Sequence, residues 1–321
     1  CIIISIIIFL KHEKVFSFLR VFDYPDNNRK IHKQPVSLSG SIFLIINISI
    51  FFIYLFFFNN DNFLDLFKKK REFFFLIFAL YGLYGIGYLD DKYNINPWTK
   101  LAATSFLLIS VMLADQNLII KILYLKFPDT VTQITLDNLS IFFTLICFVA
   151  YLNAINMFDG INLQIGLYSL LLSVYLIVQN IFTELNIILI ISLVPFLILN
   201  FKNKVFIGNS GATIIAFIYG YQYIKGYNIG FIEIDQILIL NYFIGLDLLR
   251  VFILRVINGK NPLSADQNHI HHFLIKSFNY FHAILINFFM ILIPVLLSEI
   301  FKNNWIILVA FIFFYIFLIF Y

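Results

Sequence analysis

Apolar runs close to the length of a bilayer crossing recur along the whole chain, and the polar stretches between them are short. Residues 41–58 read SIFLIINISIFFIYLFFF without one charge. A spanning helix needs about 20 mostly apolar residues, and in lipid every backbone amide must find its partner inside the segment, which favours helices. Candidate spans cover 1–19, 41–58, 73–89, 101–120, 136–152, 164–181, 185–200, 212–225, 235–256, 281–299 and 303–321. The first, with charges from Lys11 to Lys14, departs furthest from the pattern. Composition supports the same reading: 12% of the residues are charged and 61% hydrophobic, against roughly 25% charged in soluble proteins. A water-soluble globule could not bury that much apolar surface. The expectation is an all-α polytopic integral membrane protein of ten or eleven helices, forming one transmembrane domain over 1–321 with no internal repeat.

A net charge of +4 gives no reason to expect nucleic acid as a partner. Cys1 and Cys147 offer neither a disulfide framework nor a CxxC metal site. The chain opens at Cys1 inside an apolar run without Met, so a missing start is expected, with a lipid-modified Cys1 as the alternative. No small-residue cleavage site of a signal peptide is visible.

Helices alternate direction, so parity fixes sidedness. The polar stretches 20–40, 90–100, 153–163, 201–211 and 257–280 are separated by two spans each and must emerge on one side. With Lys11, Lys14, Arg250 and Arg255 at their edges they hold 14 of the 22 Lys and Arg, which leaves 8 for the opposite side. That bias places the five loops in the cytoplasm. Segments 115–135 and 226–234 read as modest loops.

The five loops carry groups that connectors do not need. Asp90 and Asp91 end an apolar helix; adjacent carboxylates repel, and a divalent cation relieves that, although a solvated helix end explains the pair equally well. Asn153, Asn156 and Asp159 recur every third residue and share one face of a helical turn, where oxygen-bearing side chains can bind Mg²⁺ or a ligand; a cap followed by a glycine stop is the plain alternative. Gly208-Asn209-Ser210-Gly211 precedes an apolar helix whose first N–H groups favour anions, although small-residue turns before helices are common and by themselves point to no ligand. His269, His271 and His272 are half of the six histidines; partly protonated imidazoles suit phosphate oxygens, while a soft-metal site, without a Cys nearby, and a plain interfacial polar loop are the alternatives. Metal-assisted phosphoryl chemistry needs a hard cation held by few protein oxygens, and cations to take up charge on the phosphates. Collected on one membrane face, these groups fit a site for a phosphorylated ligand.

In this order the motifs resemble those of the polyprenyl-phosphate N-acetylhexosamine-1-phosphate transferases, glycosyltransferase family 4, and are most similar to the undecaprenyl-phosphate GlcNAc-1-phosphate branch. Arg29-Lys30-Ile31-His32 with Pro35 resembles the first cytoplasmic motif, and residues 87–100 the Asp-Asp motif. Asn153 to Gly160 resembles Asn-x-x-Asn-x-x-Asp-Gly, Phe206 to Gly211 the Phe-Met-Gly-Asp-Ser-Gly loop, and Asp266 to His272 the histidine motif. The resemblance spans Asp23 to His272. It implies transfer of a sugar-1-phosphate from a UDP-sugar to polyprenyl phosphate with release of UMP, the first membrane step of a cell-envelope glycan. It further implies Mg²⁺ (with Mn²⁺ as a substitute), membrane lipid around the helices, and a site on the cytoplasmic face of a bacterial inner membrane; a homodimer is left open.

Carried over by position, Asp90 and Asp91 would position or activate the lipid phosphate, and Asn156 and Asn209 would hold the metal. Asp159 would order that site, and Phe206 would face the uracil. His269, His271 and His272 would grip phosphates, with Lys100 a further phosphate partner. Lys30, His32, Asn153, Gly208, Ser210 and Asp266 complete the expected substrate contacts. The family's Asp in the glycine loop is Asn209 here, and its frequent second acidic residue falls at Asn162-Leu163. Both changes remove negative charge near the expected cation. Two alternatives follow: a catalytically weakened relative that binds lipid phosphate, and a membrane transporter or flippase. Transporters place ionisable groups near mid-span, whereas here they lie at helix ends on one side.

Overall fold

The computed structural model describes residues 1–25, 34–58, 67–127, 130–262, 268–301 and 303–320. Helices dominate. The expected first span is two short helices, α1 (Ile2–Leu10) and α2 (His12–Leu19), because the backbone leaves helical geometry at Lys11 (ψ 19°) where the charged run begins. Then come α3 (Ser41–Phe58), α4 (Lys70–Tyr93) and α5 (Pro97–Ala114). The α4–α5 turn follows cap chemistry: Asn94 closes α4 in the left-handed conformation (φ 51°), and Asn96 Oδ1 accepts from Trp98 N at 2.9 Å just ahead of Pro97. The chain continues with α6 (Ser140–Phe158), α7 (Gln164–Val178), α8 (Thr183–Phe201), α9 (Gly208–Asn228) and α10 (Ile234–Ile257). The short α11 (Ile270–Ser277), α12 (Tyr280–Phe301) and α13 (Asn304–Phe320) complete it.

Among the described residues, seven helices are long and apolar enough to cross a bilayer: α3, α4, α5, α6 with the turn before it, α8, α10 and α12. The chain is a multi-pass membrane protein. Of the other expected spans, α7 and α13 are shorter apolar helices. Helix α9 is long but less apolar, because it is enclosed: nearly all of its residues from Gly208 to Gly226 are buried, against α3, α4 and α6. Its Gly, Ala, Ser and Thr let neighbouring backbones approach closely, as small residues do between helices in membranes. Two antiparallel ribbons were not anticipated. β1 (Phe22–Asp23) pairs with β2 (Val36–Ser37), and β3 (Ile122–Lys126) with β4 (Val131–Thr135) inside the segment read as a modest loop. The first ribbon ties two loops together: Phe206 N donates to Ser37 O at 2.8 Å and Gly40 N to Phe206 O at 2.9 Å.

Candidate active site

A cavity of about 1550 Å³ opens at one end of the bundle, and residues of all five polar stretches wall it. The shared sidedness required by parity is therefore present in the fold. Asp90, Asp91, Lys100, Asn153, Asn156, Asp159, Phe206, Gly208, Asn209, His269, His271 and His272 all line it. Ser210 does not. It is buried behind the wall, where its hydroxyl donates to Ser41 Oγ at 2.9 Å. Lys30, His32 and Asp266 lie outside the described residues.

The two neighbouring aspartates at the end of α4 have separate partners. Asp90 accepts from Lys100 Nζ at 2.7 Å and from Ile95 N at 3.0 Å. Asp91 reaches α9 instead, accepting from Asn209 N at 2.7 Å and Ser210 N at 3.1 Å. It is an N-cap supplied by another helix, satisfying two of the donors that a helix start leaves open. The glycine segment read as a loop is the first turn of α9, and the amides expected to receive a ligand anion hold this carboxylate. Gly208, at φ +72°, sits where a Cβ would come within 2.7 Å of Asp91 Oδ2 and 2.8 Å of Leu38 O.

The end of α6 supplies oxygens of a different kind. Asn153 turns back on its own helix, its amide donating to Val149 O at 2.8 Å. The side chains of Asn156, Asp159 and Asn209 line the cavity without a hydrogen-bond partner among the described residues. Burial, and secondarily the charge of Asp91, push the Asp159 carboxyl up to about 8. A carboxylate that is costly to ionise and unpaired invites a cation. Among the described residues no three His, Cys, Asp or Glu side chains form a metal cluster. Mg²⁺ commonly takes one or two carboxylates and completes its shell with water and phosphate oxygens, so Asn156, Asp159 and Asn209 fit it. Asn162 is occupied elsewhere: its amide donates to Asn200 O at 3.1 Å and Asn203 Oδ1 at 2.5 Å. A carboxylate there could donate to neither acceptor.

The three histidines differ in surroundings. His269 is held on both ring nitrogens, Nδ1 by Asp247 Oδ2 at 2.8 Å and Nε2 facing Arg255 Nη2 at 3.5 Å. His271 stacks parallel to His269, with centroids 5.8 Å apart, and packs over Gly160. Burial, then its neighbours His272 and His269, lower His271 to about 3, so its imidazole is neutral at physiological pH. The expectation of partly protonated imidazoles fails there. Sequence reasoning passed over Arg20, Lys202, Lys204 and Arg255, all on the cavity wall. With Lys92 and Lys100 they make six cations against four carboxylates (Asp23, Asp90, Asp91, Asp159) among the described lining residues, a balance that favours anions. The signal was available, since Arg20, Lys202 and Lys204 lie in polar stretches already singled out and Arg255 at the edge of another.

Comparison with known proteins gives the same direction. Residues 73–227 match the family model described as glycosyl transferase family 4. The undecaprenyl-phosphate alpha-N-acetylglucosaminyl 1-phosphate transferase of Haemophilus influenzae is 26% identical over 281 residues, covering 81% of this chain and 73% of that protein. The protein of the same name from Thermotoga maritima is 27% identical over 278 residues, covering 82% and 76%. A probable undecaprenyl-phosphate N-acetylglucosaminyl 1-phosphate transferase of Bacillus subtilis is 27% identical over 206 residues, covering 58% and 54%. The matched family segment runs from α4 to α9 and so includes Asp90, Asp91, Asn156, Asp159 and Asn209. The resemblance read from the motifs is thereby borne out.

Proposed function

We propose that this relative of glycosyl transferase family 4 transfers an N-acetylhexosamine 1-phosphate, with N-acetylglucosamine the leading candidate from the names of its relatives, from a UDP-sugar to polyprenyl phosphate. The products are polyprenyl-diphosphate-sugar and UMP. An oxygen of the lipid phosphate attacks the phosphorus bearing the sugar, and the bond from that phosphorus to the bridging oxygen breaks, releasing UMP. The observation that carries this reading is a single cavity in which unpartnered oxygens at Asn156, Asp159 and Asn209 share a wall with six cations. The 14-to-8 bias of Lys and Arg supports a cytoplasmic face of a bacterial inner membrane for this end.

Asn156, Asp159 and Asn209 would hold Mg²⁺, which when bound takes up charge on the diphosphate. The lipid phosphate is already anionic near neutral pH, so its attack needs positioning more than a base. Asp90 serves that by fixing Lys100 at the wall, and Asp91 by fixing the first turn of α9, on which Asn209 sits. Arg255, Lys202 and Lys204 draw the phosphates in, and neutral His271 offers a hydrogen bond without adding charge. Phe206 gives the uracil an apolar face.

The test is UMP release by membranes containing the protein, with polyprenyl phosphate, Mg²⁺ and a panel of UDP-sugars, repeated with EDTA. Release that depends on donor, lipid and metal is expected, and the panel names the sugar. Absence of release with every donor, while the purified protein still retains polyprenyl phosphate, would favour the weakened lipid-binding relative. Asn209 motivates that second reading, because a carboxamide ligates Mg²⁺ without neutralising it. Asn209→Asp should lower the Mg²⁺ concentration needed for turnover; no change moves position 209 out of the metal shell.

A further inference from the structure

Asp247 sits within apolar α10, outside every motif read from the sequence, and is buried. Four groups from three parts of the chain donate to its carboxylate. Oδ1 accepts from Arg250 Nη2 at 2.6 Å, from Tyr315 OH at 3.1 Å and from Ile270 N at 3.1 Å; Oδ2 accepts from His269 Nδ1 at 2.8 Å. An ionisable group at such depth in a membrane helix is costly and commonly functional. This one is fully used, and its bonds converge on the start of the histidine segment.

We infer that Asp247 is a positioning residue for the transfer proposed above, on which this inference rests. It acts through His269 on Arg255. A guanidinium carries donors only, so the His269 nitrogen facing Arg255 must be the acceptor and the ring proton must sit on Nδ1, where Asp247 receives it. Asp247 thereby selects one tautomer, and that tautomer presents Nε2 as the acceptor facing Arg255 on the cavity wall. The bond to Ile270 N caps α11 and fixes where His271 and His272 begin. Tyr315 brings the last helix, α13, into the arrangement, and Arg250 braces the other side while also donating to Asn268 O at 2.5 Å.

Asp247→Asn separates this role from simple packing. The carboxamide preserves shape, but an NH₂ turned toward His269 forces the ring proton to Nε2, where it opposes the Arg255 donor. The expected result is a fall in kcat of about 100-fold or more, the scale of a lost orienting carboxylate behind an imidazole, with UDP-sugar KM changed far less; melting temperature falls too, as a buried charge is lost, so kcat is taken per folded protein. Combined with His269→Ala, Asp247→Asn should cost little beyond His269→Ala alone, since both break one chain of contacts. Tyr315→Phe, which removes one of four donors, should fall between parent and Asp247→Asn. Full turnover in Asp247→Asn, or multiplicative losses in the double variant, overturns the inference. A readout independent of turnover is the nitrogen NMR signature of ¹⁵N-histidine-labelled protein. His269 should carry its proton on Nδ1 in the parent and on Nε2 in Asp247→Asn; an Nε2 proton in the parent overturns the inference even if no sugar donor supports UMP release. Conversely, the Nδ1 signature in a protein that releases no UMP rejects the transfer and leaves the His269–Asp247 geometry standing.

Discussion

Gly87, one turn before the aspartate pair, lies directly against the first turn of α9. A Cβ built there would lie 2.5 Å from Ser210 Cα, 2.7 Å from Ser210 N and 2.8 Å from Asn209 O, all backbone atoms that cannot rotate away. Carbon pairs rest at about 3.5–4.0 Å, so Gly87→Ala must part the helices by about 1 Å. The Asp91 bonds to Asn209 N and Ser210 N, now 2.7 and 3.1 Å, then stretch beyond hydrogen-bonding range, which ends near 3.2 Å. Overpacking of this kind costs ~1–3 kcal/mol. Alanine recovers ~0.8–1.0 kcal/mol of helix propensity over glycine, so the net loss of stability stays within about 2 kcal/mol. Turnover should suffer more, because a misplacement of about 1 Å near reacting groups can cost about 100-fold. Gly85→Ala is the matched control: on the same helix, a Cβ there meets nothing within 4 Å, and the substitution should be neutral or slightly stabilising. The assay is UMP release beside thermal unfolding in detergent. Equal activity in Gly87→Ala and Gly85→Ala would refute the claim that Asp91 works by capping α9.

Asp159, pushed up to about 8, holds its proton in the metal-free fold while the unfolded chain loses it near the ordinary carboxylate value. Stability therefore falls as pH rises from about 3.8 toward about 8. In EDTA, Asp159→Asn should match the parent at pH 3 and melt higher than it at pH 8.5; equal melting at both refutes the burial argument. His271, lowered to about 3, has the opposite sign: below pH 6.5 the unfolded chain takes up a proton the fold refuses, so stability is lost as pH falls. Its NMR signal should not titrate between pH 8 and 5, and His271→Asn should lessen the loss of melting temperature over that range. At the far end of α9, Lys225 Nζ meets Asp115 Oδ2 at 2.8 Å with both side chains buried. Asp115→Asn should destabilise by ~3–5 kcal/mol, as removal of one partner from a buried pair does, and lower the yield of folded protein in membranes. An unchanged yield and melting temperature refute that.

The parts of this site that were legible in the sequence are those fixed by alternation of helices. Two spans between successive polar stretches force Asp91, Asp159, Asn209 and His271 to one end of the bundle, whatever the packing. The hairpin at 122–135 was missed because a single ribbon between two spans carries little hydropathy signal, though Val131-Thr132-Gln133-Ile134-Thr135 is rich in the β-branched residues that strands favour. Asp247 was passed over because hydropathy averages it into α10, yet a carboxylate three residues before Arg250 inside an apolar run is a readable ion pair. Tyr315 carries the one hydroxyl of α13, but its target lies far away in the chain, and only packing brings that hydroxyl to Asp247.

The most consequential difference lies at the start of α9. Local reasoning assigns open N–H groups there to a ligand anion, because it cannot see that α4 delivers its own carboxylate to them. Once Asp91 occupies that end, the positive pole of α9 is spent on fixing the fold, and incoming phosphates must be met by side chains. The six cations on the cavity wall supply that charge. Asn209 follows from the same arrangement. Its amide nitrogen is committed to Asp91 while its side chain faces the cavity, so one residue joins the brace between two helices to the oxygens facing the diphosphate. Loosening the brace at Gly87 and restoring charge with Asn209→Asp should therefore act on different quantities, the first on kcat and the second on the Mg²⁺ requirement.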